Sequence, residues 1–60
     1  MNTGWIKSYF ADTGEAVMIN ANNIIEMHQV DDKTVIKFVG DNNYIEVKER
    51  LMEVYGKISW

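Results

Sequence analysis

The residue types best suited to acid–base chemistry are the single histidine, His28, and a glutamate two positions before it, Glu26. Residues two apart in a β-strand point to the same face, so the imidazole and the carboxylate would lie side by side. Catalysis by such a pair needs a third group that positions it, and the sequence indicates none. We therefore interpret both residues as members of a solvent-facing strand surface.

Metal, nucleophilic and cofactor chemistry is indicated no more strongly. Asp31 and Asp32 carry oxygen ligands, as do residues 41–43, but neither group follows the alternate spacing of a calcium loop. Ser8 and Ser59 lack a nearby histidine or a nucleophile-elbow motif, and the four glycines are isolated from one another. The sequence therefore predicts a protein that is not an enzyme and has no metal or cofactor site.

The basic residues near the C-terminus could contact phosphate, but acidic residues are interleaved with them. This mixed segment contains Glu46, Lys48, Glu49, Arg50, Glu53 and Lys57. Mixed charge of this kind is typical of a solvated helix surface. The formal net charge of −3 also argues against nucleic acid as a partner, because phosphate neutralisation supplies most non-specific affinity.

The chain has 60 residues with neither cysteine nor proline, and we interpret it as a single small domain, 1–60. A domain of this length buries only about 60% of its unfolded surface and has no disulfide to stabilise it, so self-association would enlarge its core. Its apolar runs are far shorter than the ~20 residues of a membrane span, and residues 1–4 lack the basic start of a signal peptide. We expect a cytoplasmic protein without membrane insertion.

Seven isoleucines and six valines against one leucine favour β-strands, because β-branched side chains suit a pleated surface. Polar clusters at residues 12–14, 31–33 and 40–43 are predicted hairpin turns, and residues 20–23 a corner. Both parities of the fourth strand are apolar, which indicates a central strand covered on two sides. The predicted strands are residues 5–10, 16–20, 25–30, 34–39 and 44–47.

Near Glu49 the apolar period changes from two to that of a helix, and Leu51, Val54, Tyr55 and Ile58 form one stripe. The predicted fold class is mainly β (α+β), an antiparallel β-meander of about five strands with one C-terminal amphipathic helix covering its open face. The apolar positions of these elements predict the core. Its members are Ile19, Ile25, Met27, Ile36, Phe38, Ile45, Val47, Leu51 and Val54.

Seven aromatic residues exceed what a 60-residue core can enclose. Exposed aromatics stack bases in single-stranded nucleic-acid binders, but they also dominate the centres of protein interfaces. One short helix covers only one face of a sheet, which leaves an apolar face for a second copy to cover. The predicted interface consists of Trp5, Tyr9, Val35, Val39 and Trp60.

These features favour a small non-enzymatic protein–protein interaction or accessory module. We expect it to form a homo-oligomer and to bind a protein partner that the sequence does not identify. The alternative is a regulatory nucleic-acid-binding module, whose binding would weaken steeply as salt rises.

Three segments resemble the small FlbD-like proteins that are linked to flagellar assembly and swarming. The segments are V-M-I-N-A-N-N-I-I-E-M at 17–27, T-V-I-K-F-V-G at 34–40 and I-E-V-K-E-R-L-M-E-V at 45–54. They follow the order of I-N-A-x-x-I, T-x-I-x-x-x-x-G and V-K-E-S-x-x-E-V in that family, with Arg50 where the family has serine. The resemblance covers about residues 6–58 and extends to other small bacterial and phage β proteins. It implies an accessory, non-enzymatic role.

A second resemblance is to the first half of LytTR-type DNA-binding domains. There the segments I-I-E-M and L-M-E-V are similar to I-x-Y-I-E and L-x-E-L. Those domains are roughly twice as long and use basic positions in the half that this chain does not match. The resemblance implies the nucleic-acid-binding alternative.

Overall fold

A computed structural model describes residues 4–58 and confirms the mainly β fold class with one C-terminal helix in that range. Isoleucine and valine at alternating positions produce the strands, and the change to helical spacing after Glu49 produces the helix. The elements are β1 (Trp5–Tyr9), β2 (Ala16–Asn20), a 3₁₀ turn (Ala21–Asn23), β3 (Ile24–Val30), β4 (Lys33–Phe38), β5 (Tyr44–Val47) and α1 (Leu51–Ile58).

The five strands form two antiparallel sheets, β1–β2 and β3–β4–β5, where the sequence predicted one meander. The predicted corner separates them: Asn20 caps the 3₁₀ turn by accepting a hydrogen bond from the Asn22 N–H at 3.0 Å. At the other end β1 reaches β5, since the Ala11 N–H donates to the Glu46 carbonyl and the Lys48 N–H to the Tyr9 carbonyl, both at 2.9 Å. The two sheets are therefore hydrogen-bonded to each other at one corner.

The three predicted turns all join antiparallel neighbours. In the β3–β4 turn Asp31 has a φ of 58°, and in the β4–β5 loop Asn42 has a φ of 53°. Both values lie in the left-handed region, which aspartate and asparagine adopt more readily than other non-glycine residues. The polar clusters therefore fix the hairpin positions, as the sequence indicated.

The core lies between the two sheets and the helix, and it differs from the predicted set mainly in β3. A register shift between Ile24 and Glu26 marks a bulge in that strand. It turns Ile24 toward the core with Met27 and leaves Ile25 65% exposed, so the prediction that Ile25 is a core residue was wrong. Ile6 is buried although the predicted set omitted it.

The other predicted core residues differ in how deeply they are buried. Four are fully or almost fully buried: Ile19, Ile36, Val47 and Val54. Those packed against them but partly buried are Met27, Phe38 and Ile45. Leu51 is half-buried at the start of the helix.

β4 is the central strand of its sheet, as predicted, but its second face is open. Thr34 and Ile36 are buried on one face, whereas Lys37 is exposed and Val35 only half-buried on the other. The helix covers the inner face alone, through Val54. The prediction that β4 is covered on two sides is therefore wrong within residues 4–58.

Candidate protein-binding surface

Glu49 lies between β5 and α1, and its polar atoms connect distant parts of the described chain. Its Oε1 accepts a hydrogen bond from Ser8 Oγ at 2.5 Å, and its Oε2 accepts one from Lys57 Nζ at 3.1 Å. The Glu49 backbone carbonyl accepts a third bond from Thr34 Oγ1 at 2.7 Å. One residue therefore connects β1, β4 and the last turn of the helix.

This cluster is largely shielded from solvent. Ser8 and Thr34 are fully buried and the Glu49 side chain is 13% exposed. Burial alone would raise the pKa of the Glu49 carboxyl, but the hydrogen bonds from Ser8 and Lys57 outweigh it and hold that pKa below the ordinary value of 4.5. Glu49 is therefore held in its charged form.

The hydrogen bonds of the Glu49 cluster indicate a structural role. Ser8 donates its hydroxyl proton to a carboxylate and is inaccessible to a substrate, while Lys57 is also bonded to the Lys7 carbonyl at 2.7 Å. The sequence did not indicate this cluster, because Ser8 and Glu49 are 41 positions apart. Alternation along β1 puts Ser8 on the same face as the buried Ile6.

The outward face of the β1–β2 hairpin carries exposed apolar side chains. Trp5 is 55% exposed and Met18 57% exposed, and Lys7 lies directly across from Met18 in the antiparallel register. Further along the face, the Tyr9 ring centroid is 5.8 Å from Lys7 Nζ and 6.0 Å from Lys48 Nζ. Both distances suit cation–π contacts. We call Trp5, Lys7, Tyr9 and Met18 the hairpin face.

Val35 and Val39, the other described residues of the predicted interface, lie on the second sheet. Val35 is half-buried between its strand neighbours His28 and Glu46. Val39 follows β4, is 60% exposed and lines a depression that also includes Met18 of the hairpin face. Trp60 lies outside the described residues. Because Trp5 and Tyr9 belong to the first sheet, the four described members of the predicted interface are divided between the two sheets.

The outward surface around Val35 is charged. The shortest ion pair joins Lys33 Nζ to Glu46 Oε1 at 2.9 Å, and this hydrogen bond with its attending charge raises the pKa of Lys33. His28 Nδ1 lies 3.5 Å from Glu26 Oε2, and both side chains are about half exposed. His28 and Glu26 therefore occupy the solvent-facing surface expected for them.

The depression beside Val39 lies between β2 and the ends of β4 and β5. Its apolar walls include Val17, Phe38 and Ile45, which pack only partly against the core. In the described sheets β2 pairs with β1 alone, so its second edge faces this depression without a strand neighbour. The hairpin face and the free β2 edge meet at Met18, which is therefore the centre of the candidate protein-binding surface.

Within residues 4–58, no three His, Cys, Asp or Glu side chains come together in a way that could hold a metal ion. No helix in the same part of the chain is long and apolar enough to cross a membrane. Comparison of the chain with protein-family models, curated proteins and solved structures found no match.

Proposed function

We propose that this chain is a small, non-enzymatic interaction module that associates with copies of itself and acts as an accessory protein. The observation that carries the proposal is the exposure of Trp5 and Met18 on one hairpin face, beside an unpaired strand edge. Large aromatic and methionine side chains are enriched at protein interfaces, and water-exposed apolar patches favour association.

The chemistry of the polar residues supports a non-enzymatic role. The Ser8 hydroxyl is buried and committed to Glu49, and His28 pairs with an exposed glutamate on an open surface. Neither arrangement combines an accessible nucleophile with a positioned base.

The resemblance to FlbD-like proteins supports an accessory role inside a bacterial or phage-infected cell, and we propose a cytoplasmic location on the same ground. Genomic neighbourhood tests this part of the proposal. Neighbouring flagellar genes would support it, whereas phage structural or lysogeny genes would point to a different assembly.

Sedimentation equilibrium between about 1 and 100 μM tests self-association, a range that spans the affinities expected of a small interface. The Trp5→Ser variant should associate more weakly than the wild type. Tyr55→Ser is the matched control, because Tyr55 is an equally exposed aromatic residue (53%) that lies on α1 and not on the β1–β2 hairpin. A wild-type mass of 7.0 kDa at every concentration would contradict self-association.

A Val35→Lys variant tests the remaining part of the predicted interface. Val35 lies on the charged face of the second sheet. If the hairpin face alone forms the contact, the Val35→Lys variant should associate like the wild type. If the Val35→Lys variant dissociates, the interface also involves the second sheet.

Nucleic-acid binding remains the second candidate because Tyr9 lies beside the two lysines of the cation–π contacts, Lys7 and Lys48. A partly exposed aromatic ring with adjacent cations can stack a base of single-stranded nucleic acid. A gel-shift titration with a single-stranded oligonucleotide at about 50 mM salt tests it. A shift that disappears at higher salt and in Lys7→Ala would favour this function, and no shift at micromolar protein would exclude it.

A further inference from the structure

The free edge of β2 has a definite pattern of outward backbone groups. The Phe10 N–H donates to the Glu15 carbonyl at 2.9 Å, and the Ala21 N–H donates to the Gly4 carbonyl at 2.5 Å. In an antiparallel ladder hydrogen-bonded pairs alternate with non-hydrogen-bonded pairs. The Lys7–Met18 pair is therefore of the non-hydrogen-bonded kind, and the N–H and C=O of Met18 point away from β1.

β2 also lacks the features that normally protect a strand edge. Its sequence, A-V-M-I-N, has no charged residue, whereas each of the other four described strands has at least one. Charges, prolines and bulges are the usual means of preventing edge-to-edge pairing. β2 has none of them, so its edge is open to another strand.

The free edge of β3 is different. That strand contains the bulge between Ile24 and Glu26, and the side chain of Gln29 accepts a hydrogen bond from the Leu51 N–H at 3.2 Å while donating to the Asp31 carbonyl at 2.9 Å. A bulge and a bridging side chain both hinder regular pairing. The two free strand edges therefore differ: the β3 edge is hindered from pairing, whereas the β2 edge is not.

We propose that two copies of this chain pair through β2, antiparallel and about a two-fold axis at Met18, so that two hairpins form one four-stranded sheet. This inference rests on the proposed self-association and specifies its geometry. Each Met18 would exchange two backbone hydrogen bonds with its own copy. An uncharged strand suits a second copy, because the two-fold axis places Met18 opposite Met18 and packs the strand against an identical one, where charges of one sign would repel.

The pairing also gives the exposed Met18 side chain of the hairpin face a neighbour. Met18 would lie against its copy in the centre of the outward face, with Lys7 on either side in the same cross-strand row. On the inner face, the half-buried Val17 of each copy would lie opposite Ile19 of the other at the edge of the depression. A two-stranded sheet is marginal by itself, and four strands with an apolar face are more stable.

The test uses charge at position 18. Met18→Glu preserves the hairpin, because the new carboxylate lies across from Lys7, but it places two carboxylates together at the two-fold axis. Association should weaken by about tenfold or more. Met52→Glu is the control with the same charge change, since Met52 is 72% exposed on the helix, and it should associate like the wild type.

A mixing experiment makes the test specific for the two-fold arrangement. Met18→Glu and Met18→Lys should each associate poorly, and an equimolar mixture should recover association because opposite charges then meet at the axis. In the wild type, the Met18 amide should become protected from hydrogen exchange as concentration rises. Protection of that amide with recovery in the mixture would establish β2 pairing.

The failures of the two proposals are distinguishable. A wild-type protein that remains monomeric up to about 100 μM would overturn self-association itself, and β2 pairing with it. A wild-type oligomer that Met18→Glu leaves intact, or in which the Met18 amide stays unprotected, would overturn β2 pairing alone and place the contact elsewhere.

Discussion

Ser8 Oγ and Glu49 Oε1 lie 2.5 Å apart, although 41 positions separate the two residues in the sequence. Ser8 belongs to the first strand and Glu49 precedes the helix, so this bond attaches the C-terminal part of the chain to the N-terminal hairpin. Lys57 binds the other carboxylate oxygen from the last turn of α1. The beginning and the end of the helix are thus held against β1 through one side chain.

Replacing Ser8 by alanine should lower the free energy of unfolding by about 1–3 kcal/mol, because the change leaves a shielded carboxylate oxygen without its donor. Urea unfolding measures the loss. The double-mutant cycle with Glu49→Ala, which removes the acceptor oxygen, should give a coupling energy of about 0.5 kcal/mol or more. Strict additivity of the two changes would show that the bond contributes nothing in solution.

Glu49 should also make the protein less stable in acid. Its pKa in the folded protein is below the ordinary 4.5, so the unfolded chain takes up a proton first as the pH falls. The stabilisation is complete above about pH 4.5 and is lost as the pH falls through the folded pKa. Unfolding measured between about pH 7 and 3 should show this loss.

A matched pair of variants isolates the contribution of Glu49 to the acid sensitivity. Glu49→Gln should flatten the acid limb of the stability curve at the cost of lower stability at neutral pH. Glu46→Gln removes the same charge from an ion pair whose side chains are about 40% exposed, and should change the curve little. Equal effects of the two changes would contradict a special role for Glu49.

Strand parity predicted much of the fold because it is a local property of the sequence. Ile45 and Val47 of β5 face inward as predicted. The same alternation accounts for the inward Ile6 and Ser8 of β1, although the predicted core omitted Ile6. The helix begins at Leu51, and of its predicted apolar stripe Val54 is buried whereas Tyr55 is 53% exposed. In each case side chains within a few positions of one another determine the outcome.

The parts that parity did not predict depend on contacts between distant segments. The bulge in β3 inserts one residue and reverses which of Ile24 and Ile25 faces the core. Because both residues are isoleucine, the sequence does not indicate the bulge. The division into two sheets depends on how β1 meets β5. The Glu49 cluster likewise unites residues from three separate segments, so only the folded chain reveals it.

The bulge leads to a comparison between two neighbouring isoleucines. Ile24→Ala should cost about 2–4 kcal/mol, because Ile24 packs against the core, whereas Ile25→Ala should cost about 0.5 kcal/mol at a position 65% exposed. Thermal unfolding of the two variants measures the difference. A larger loss from Ile25→Ala would restore the uninterrupted alternation predicted from the sequence and rule out the bulge.

The N-terminus of α1 has half of a capping box, which a single substitution should complete. Arg50 precedes the helix, and its N–H donates to Glu53 Oε1 at 3.0 Å. In a full capping box a serine at the first of these positions also accepts a hydrogen bond from the N–H of the glutamate. Arg50→Ser should therefore raise the free energy of unfolding by about 0.5–1.5 kcal/mol, which corresponds to roughly 2–10 °C in melting temperature.

The gain should depend on Glu53, because the reciprocal bonds stabilise the same turn. In a Glu53→Ala background, Arg50→Ser should therefore give only part of the stability gain that it gives in the wild type. Glu53→Ala alone should be less stable than the wild type. Arg50 is exposed, so an arginine-to-serine change there sacrifices little packing. A melting temperature that is unchanged or lower in Arg50→Ser would mean that Glu53, together with Gln29 on the Leu51 N–H, already satisfies this helix end.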